Sequence, residues 1–254
     1  MARGLPGPEP MRLSARLLLL ATCGIAATAL AGSFGVAPTR VDLDRGTRSA
    51  TIEVGSEDSA KLNFQVKLFE WTQDSDGKDQ YVESQDLIWF PQLFTVNPQG
   101  KRIVRVGTRQ ATVPEREKTY RLFIEELTQP GAAQSGTQVS VVLRFGVPIF
   151  VAPAAPRRSF VIDSVEPMRG MFKVRIRSDG SQSAKFESLK IQRGDTVYAE
   201  AQGWYVLAGA ARTFEIRIDP SKCPSPGPLE FVAAAEGVVL KQALAASPVL
   251  CERP

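Results

Sequence analysis

An all-β fold in two sandwich domains is what this sequence predicts, and three observations predict it. Short runs rich in β-branched and aromatic residues alternate apolar with polar positions, the period-2 pattern of half-buried strands. Turn residues separate these runs at close intervals, and no long helical period interrupts them. A proline-marked break near residue 153 divides the strand pattern into a longer first part and a shorter second part.

The chain has 254 residues, 43% of them hydrophobic and 23% charged, which is ordinary for a globular protein. Residues 1–31 read as a secretory signal peptide. Arg12 and Arg16 precede and enter the apolar stretch "LLLLATCGIAATALAG", and Ala29-Leu30-Ala31 offers small residues for cleavage. The apolar stretch is short for a permanent span, so no stable membrane insertion is expected. Thr22 stands before Cys23 where a lipid-attachment motif needs a small residue. Met11 is an alternative start to Met1.

Past the leader, the runs Gly35–Leu43, Ser49–Val54, Asn63–Trp71, Lys101–Val106, Thr119–Leu127 and Gln138–Val151 each read as strands. In "LNFQVKLFEW", Leu62, Phe64, Val66 and Leu68 alternate with Asn63, Gln65 and Lys67, one face apolar and one polar. This density of short strands suggests an antiparallel sandwich of immunoglobulin type over residues 32–153. "APAAPRR" follows, and its prolines make 154–158 a stiff linker. The pattern resumes in "FVIDSVEP", "MFKVRIRS", "ESLKIQRG", "RTFEIRID" and "PLEFVAAA", giving a second β-domain over 159–254. The last strand of the first domain, "QVSVVLRFGVPIFVAP", is longer and more apolar than a modest sandwich needs. Val139, Val141, Leu143 and Phe145 share one face, and Val142 and Val147 are assigned to the other.

Composition narrows function. The chain has no histidine, which excludes Ser-His-Asp triads and histidine-ligated zinc. A net charge of +4 is dispersed, with Lys101–Arg102 and Arg157–Arg158 only as pairs, so no nucleic-acid partner is expected. "DSDGKD" (74–79) resembles the start of a calcium loop, lacks the later glutamate at the required spacing, and reads as a polar hairpin turn. No metal and no cofactor is expected. Glu125 and Glu126 are the only adjacent acidic pair in a strand, but strand neighbours face opposite ways and do not converge. The chain is read as not an enzyme. After leader removal the cysteines are Cys223 and Cys251. Export would let them form a disulfide, with two separate buried thiols as the alternative.

The order of these segments resembles the periplasmic chaperones of the chaperone–usher pilus pathway. It runs from the leader through "VAPTRVDLD", "FTVNPQGKRIVRVG" and "EKTYRLFIEEL" to "VSVVLRFGVPIFVAP" and a second β-domain. The Pro-Ile-Phe-Val ending resembles the archaic, spore-coat-U-type branch. The resemblance implies two immunoglobulin-like sandwiches in an L or boomerang arrangement, located in the periplasm. It also implies a chaperone that lends its long strand to a pilus subunit lacking one, by donor-strand complementation, and delivers it to an outer-membrane usher. Val139, Val141, Leu143 and Phe145 match the donor row, and an exposed donor edge would also allow self-association. Arg40 matches the family's cleft arginine, which binds the subunit's terminal carboxylate. The better-known branch adds a strand lysine whose position here is Pro148; Arg121 on the neighbouring strand is the expected substitute, ahead of Arg144 and Lys101. Arg105 and Glu126 match a salt-bridge set at the domain junction. The alternative reading is a secreted two-domain β-sandwich binding module or pilus component.

Overall fold

Alternating burial builds the first sandwich as the sequence pattern requires. In this computed structural model, Met1 and residues 34–109, 113–127 and 142–245 are described. The strands of the first lobe are β1 (Phe34–Ala37), β2 (Val41–Leu43), β3 (Ser49–Ser56), β4 (Leu62–Gln73), β5 (Asp79–Glu83), β6 (Leu87–Phe90), β7 (Leu93–Val96), β8 (Lys101–Thr108), β9 (Lys118–Leu127) and β10 (Arg144–Val151). One sheet runs β1-β3-β8-β6; the other runs β2-β10-β9-β4-β5, with β7 also on β4. Leu62, Phe64, Val66 and Leu68 of β4 face Ile52 and Val54 of β3 and Val104 and Val106 of β8 in one core. Each such side chain contributes about 1.5–3 kcal/mol by leaving water.

The second lobe comprises β11 (Phe160–Met168), β12 (Met171–Ser178), β13 (Ala184–Arg193), β14 (Thr196–Gln202), β15 (Tyr205–Val206), β16 (Ala211–Arg217), β17 (Pro228–Ala235) and β18 (Val238–Ala245). Its sheets run β11-β12-β16 and β14-β13-β17-β18, with β15 on β13. Phe172, Val174, Ile176, Phe186, Ile191, Phe231 and their neighbours form its core. No described strand of one lobe pairs with a strand of the other, and both lobes lie within one compact unit, Ser33–Pro254.

The expected single strand Gly35–Leu43 is two strands in different sheets. β1 pairs with β3, and β2 pairs parallel with β10. Pro38 supplies no ladder donor, so the chain crosses from one sheet to the other there. The hairpin at 74–79 joins β4 to β5. The Asp74 carboxylate accepts from the backbone N–H groups of Asp76 and Lys78, which fits a turn and not an open cation loop. Gly77 has φ 82 at its tip, and a Cβ there would lie 2.5 Å from the Arg212 backbone of the second lobe.

Four ring and aliphatic side chains seal the lobe junction: Trp71 and Phe150 from the first lobe, Tyr205 and Leu207 from the second. Polar groups fix their register. Gln73 Nε2 donates to Tyr205 O at 2.9 Å, and Gln73 Oε1 accepts from Leu207 N at 3.0 Å. Asp79 accepts from Trp204 Nε1 at 2.7 Å and from Arg212 Nη1 at 3.2 Å. Glu117 accepts from the backbone N–H and the hydroxyl of Ser183.

The junction ion pair is thus Arg212–Asp79, and the expected Arg105–Glu126 set is corrected. Arg105 is exposed on β8, between Thr51 and Phe90, in the sheet that does not carry β9. Glu126 pairs with Phe64 near the end of β9, whereas Arg121, near its start, is the β9 residue beside the junction rings. The two residues sit on different sheets, so no salt bridge joins them.

Candidate functional site: a two-arginine cleft beside an open strand edge

β10 positions the site. It is antiparallel to β9 from Arg144↔Glu125 to Val151↔Lys118. The Glu126 N–H donates to Leu143 O at 3.1 Å, so Leu143 and the alternate residues Phe145 and Val147 direct their backbone groups toward β9. Arg144 and Gly146 direct theirs the other way. On that side β2 covers only Ile149–Val151, and Pro148 has no N–H to offer. Among the described residues, the edge at Arg144–Gly146 is therefore without a strand partner.

The side chains of β10 divide by face. Val147, Ile149 and Val151 point into the first core, so Val147 belongs with Leu143 and Phe145, not opposite them as the sequence reading placed it. Two-residue periodicity without a bulge requires this. The row leaves the core as it runs back along the chain. Val147 is 0% exposed, while Phe145 is 39% and Leu143 38% exposed. Phe145 touches only the rim, edge-on to Phe34 at 6.3 Å. Val142 is exposed and is no core residue. Val139 and Val141, the other expected donor residues, lie outside the described residues.

The opposite row, Gly146, Pro148 and Phe150, faces a cleft between the lobes, of ≈ 460 Å³. Arg40, Arg121, Phe145, Pro148, Arg158, Lys185, Trp204 and Tyr205 are among its lining. The structure thus brings the two expected anchor residues into one cavity. Arg121 stands directly across from Pro148, the position of the missing lysine. Its guanidinium lies 4.1 Å over the Trp71 ring, with Trp204 and Tyr205 at 5.8 and 6.0 Å. Its Nη1 donates to the Gly146 carbonyl at 3.0 Å, while the space a Cβ at Gly146 would take is filled by the Phe123 ring. Arg121 is 8% exposed, and its buried Nε has no acceptor among the described residues. Tyr81 is a further hydrogen-bond partner, and like the Gly146 carbonyl it is uncharged, so the buried guanidinium attracts an anion.

Arg40 precedes β2, its guanidinium carbon 4.3 Å above Phe150. It pairs with Asp42 at 2.7 Å, and those hydrogen bonds raise its pKa against the opposing effect of burial. Arg144 and Lys101, the other candidates, are engaged elsewhere. Arg144 bonds Glu125 at 2.7 Å and lies over Phe123, and Lys101 bonds Glu53 at 2.7 Å on the far sheet.

Sequence reading missed the second lobe's share of the cleft. Trp204, Tyr205 and Lys185 come from loops and strands after the linker, and Arg158 is the linker's last residue. The dipeptide Trp204-Tyr205 in "QGWYV" is the one local signal, an aromatic pair where a turn would suit small polar residues. Cys223 follows the short 3-10 turn Pro220–Lys222; Cys251 lies outside the described residues, as does the leader apart from Met1.

Among the described residues, a β-sandwich whose apolar edge strand lacks a strand partner opens onto an interlobe cleft lined by Arg40, Arg121, Arg158 and Lys185, the geometry of a binding scaffold. Residues 33–157 match the family described as pili and flagellar-assembly chaperone, PapD N-terminal domain, and the chain belongs to that family. No curated protein matches. Among solved structures, the chain is similar to one in the CsuC-CsuE chaperone-tip adhesion subunit pre-assembly complex from archaic chaperone-usher Csu pili of Acinetobacter baumannii. That match has 17% identity and a TM-score of 0.60, and covers 82% of this chain and 97% of that one. A chain in the Salmonella enterica SafA pilin–SafB chaperone complex matches with 15% identity and a TM-score of 0.56, over 84% and 96% of the two chains. The Pseudomonas aeruginosa CupB2 chaperone matches with 14% identity and a TM-score of 0.53, over 84% and 100%. At these identities the structural likeness speaks for the fold.

Proposed function

We propose that this protein is a periplasmic, non-enzymatic chaperone. It binds pilus subunits by donor-strand complementation and delivers them to an outer-membrane usher. The observation that carries the reading is the strand β10 itself, whose core-facing row continues as exposed Leu143 and Phe145 along an unpaired edge. A subunit lacking one strand has an open backbone ladder and an apolar groove, and an added strand completes both. By two-residue spacing in the sequence, Val139 and Val141 belong to the same alternating set.

The cleft receives the subunit's chain end. Arg40 and Arg121 hold its terminal carboxylate, a guanidinium fork being suited to bidentate charged hydrogen bonds. Arg121 replaces the family's strand lysine, because it stands directly across from Pro148 and reaches the cleft side of β10 at Gly146 O. Residues 1–31 direct export and are removed, and a Cys223–Cys251 disulfide then closes the second domain. Assignment to the archaic branch rests on the Pro-Ile-Phe-Val ending of β10 and on the likeness to the Csu complex.

The test is periplasmic co-expression with small secreted β-proteins encoded beside this gene and beside an outer-membrane barrel. Wild-type protein should co-purify with at least one of them. Arg40→Ala and Arg121→Ala should each fold and lose the complex, at a cost of about 2–5 kcal/mol in binding for a truncated charged partner. Undiminished complexes with both variants would refute the anchor. N-terminal sequencing of exported protein should begin at or next to Gly32.

A further inference from the structure

Asp42 holds one side of the Arg40 fork. Arg40 Nε donates to the two carboxylate oxygens at 3.1 and 2.9 Å, and Nη2 donates to Oδ1 at 2.7 Å. Residues two apart on an extended chain share a face, so the pair forms as soon as β2 does. Among the described residues the Asp42 side chain bonds no other group, and it is 61% exposed. It is therefore not a packing residue. Nor does it alone set the guanidinium plane, which also rests on Phe150. Glu117, another carboxylate whose charge reaches Arg40, is half-buried and held by Ser183. Asp42 is thus the solvent-exposed acidic group on the anchor. A guanidinium has five N–H donors, and the edge left for a visitor is Nη1 with the second hydrogen of Nη2.

Resting on the chaperone reading above, we propose that Asp42 is a built-in competitor of the incoming chain end. It is a positioning residue that restricts docking to the Nη1/Nη2 edge of Arg40 and weakens capture by its own charge. The bound carboxylate is then held firmly by Arg121 and reversibly by Arg40, which suits a chaperone that must give up its cargo.

The test uses the exported full chain and two probes: acetyl-trialanine with a free C-terminal carboxylate, and the same peptide as its amide. Binding is followed by NMR of the Arg40 Nε–H signal in wild type, Asp42→Asn, Asp42→Glu and Arg40→Ala. In wild type the acid should bind in preference to the amide, and the Nε–H signal should stay in place because Asp42 still holds it. Asp42→Asn should bind the acid about two- to fivefold tighter, the fold-change equivalent of an exposed charge pair. Asp42→Glu should return to wild-type affinity. Unchanged or weaker binding by Asp42→Asn, or displacement of the wild-type Nε–H signal, overturns the competitor role while leaving the anchor intact. If Arg40→Ala binds the acid as tightly as wild type, Arg40 is no anchor and this inference falls with it.

Discussion

Leu143→Asp and Val147→Asp place the same charge on the same row of β10, four residues apart, and should have opposite consequences. Val147 is 0% exposed among Leu122, Ile149 and the other core residues of the first lobe. An aspartate there loses about 1.5–3 kcal/mol of side-chain burial and strands a carboxylate among apolar groups. The combined cost exceeds about 4–5 kcal/mol, which approaches the whole stability of a small domain at about 5–15 kcal/mol. Leu143 is 38% exposed at the open end of the strand. Its aspartate can turn to water, so the expected change in the free protein is within about 1 kcal/mol. In a complex the order reverses in meaning: Leu143→Asp presents an unpaired charge to the subunit's groove and should abolish co-purification from an otherwise folded protein. Thermal melting of each variant, followed by subunit pull-down, reads both effects. If Leu143→Asp melts as early as Val147→Asp, the row serves only the chaperone's own core and the donor role is refuted.

Asp79→Ala removes the acceptor shared by Trp204, Arg212 and Gln73 at the lobe junction, leaving the part-buried Trp204 Nε1 without its acceptor and Arg212 without its carboxylate. It should lower stability by about 1–3 kcal/mol and loosen the lobes, seen as an earlier melt and a broadened small-angle scattering profile; an unchanged melt would contradict the latch. Burial raises the Glu117 pKa above 4.5, so the folded state binds the proton more tightly than the unfolded state. Its contribution is greatest below that value and is lost as pH rises through the folded pKa, so Glu117→Gln should gain stability relative to wild type between acid and neutral pH. Parallel pH–stability curves for the two proteins would exclude it. Reduction of the proposed Cys223–Cys251 bridge should cost about 3 kcal/mol through loop entropy, with intact mass under native and reducing conditions showing the bond; two free thiols in exported protein would exclude it.

The strand pattern, the two-sandwich fold and the apolar surplus of the last first-lobe strand were legible in the sequence, because alternate burial is a local property with a period of two residues. Arg40 and Arg121 are nominated differently, Arg40 by resemblance to the family's cleft arginine and Arg121 as the substitute for the lysine absent at Pro148. What sequence could not give was register and approach. That Arg121 lies across from Pro148 depends on how β9 and β10 pair. That Val147 is core while Leu143 is not depends on where the facing sheet ends. The split at Pro38 sends β1 and β2 to different sheets through hydrogen bonds with partners far along the chain. The seat of Trp204 and Tyr205 against Arg121, and the Asp79 latch that joins the lobes, unite residues more than eighty positions apart. Only tertiary packing brings those groups within bonding distance, since no local periodicity encodes which face of one domain meets the other.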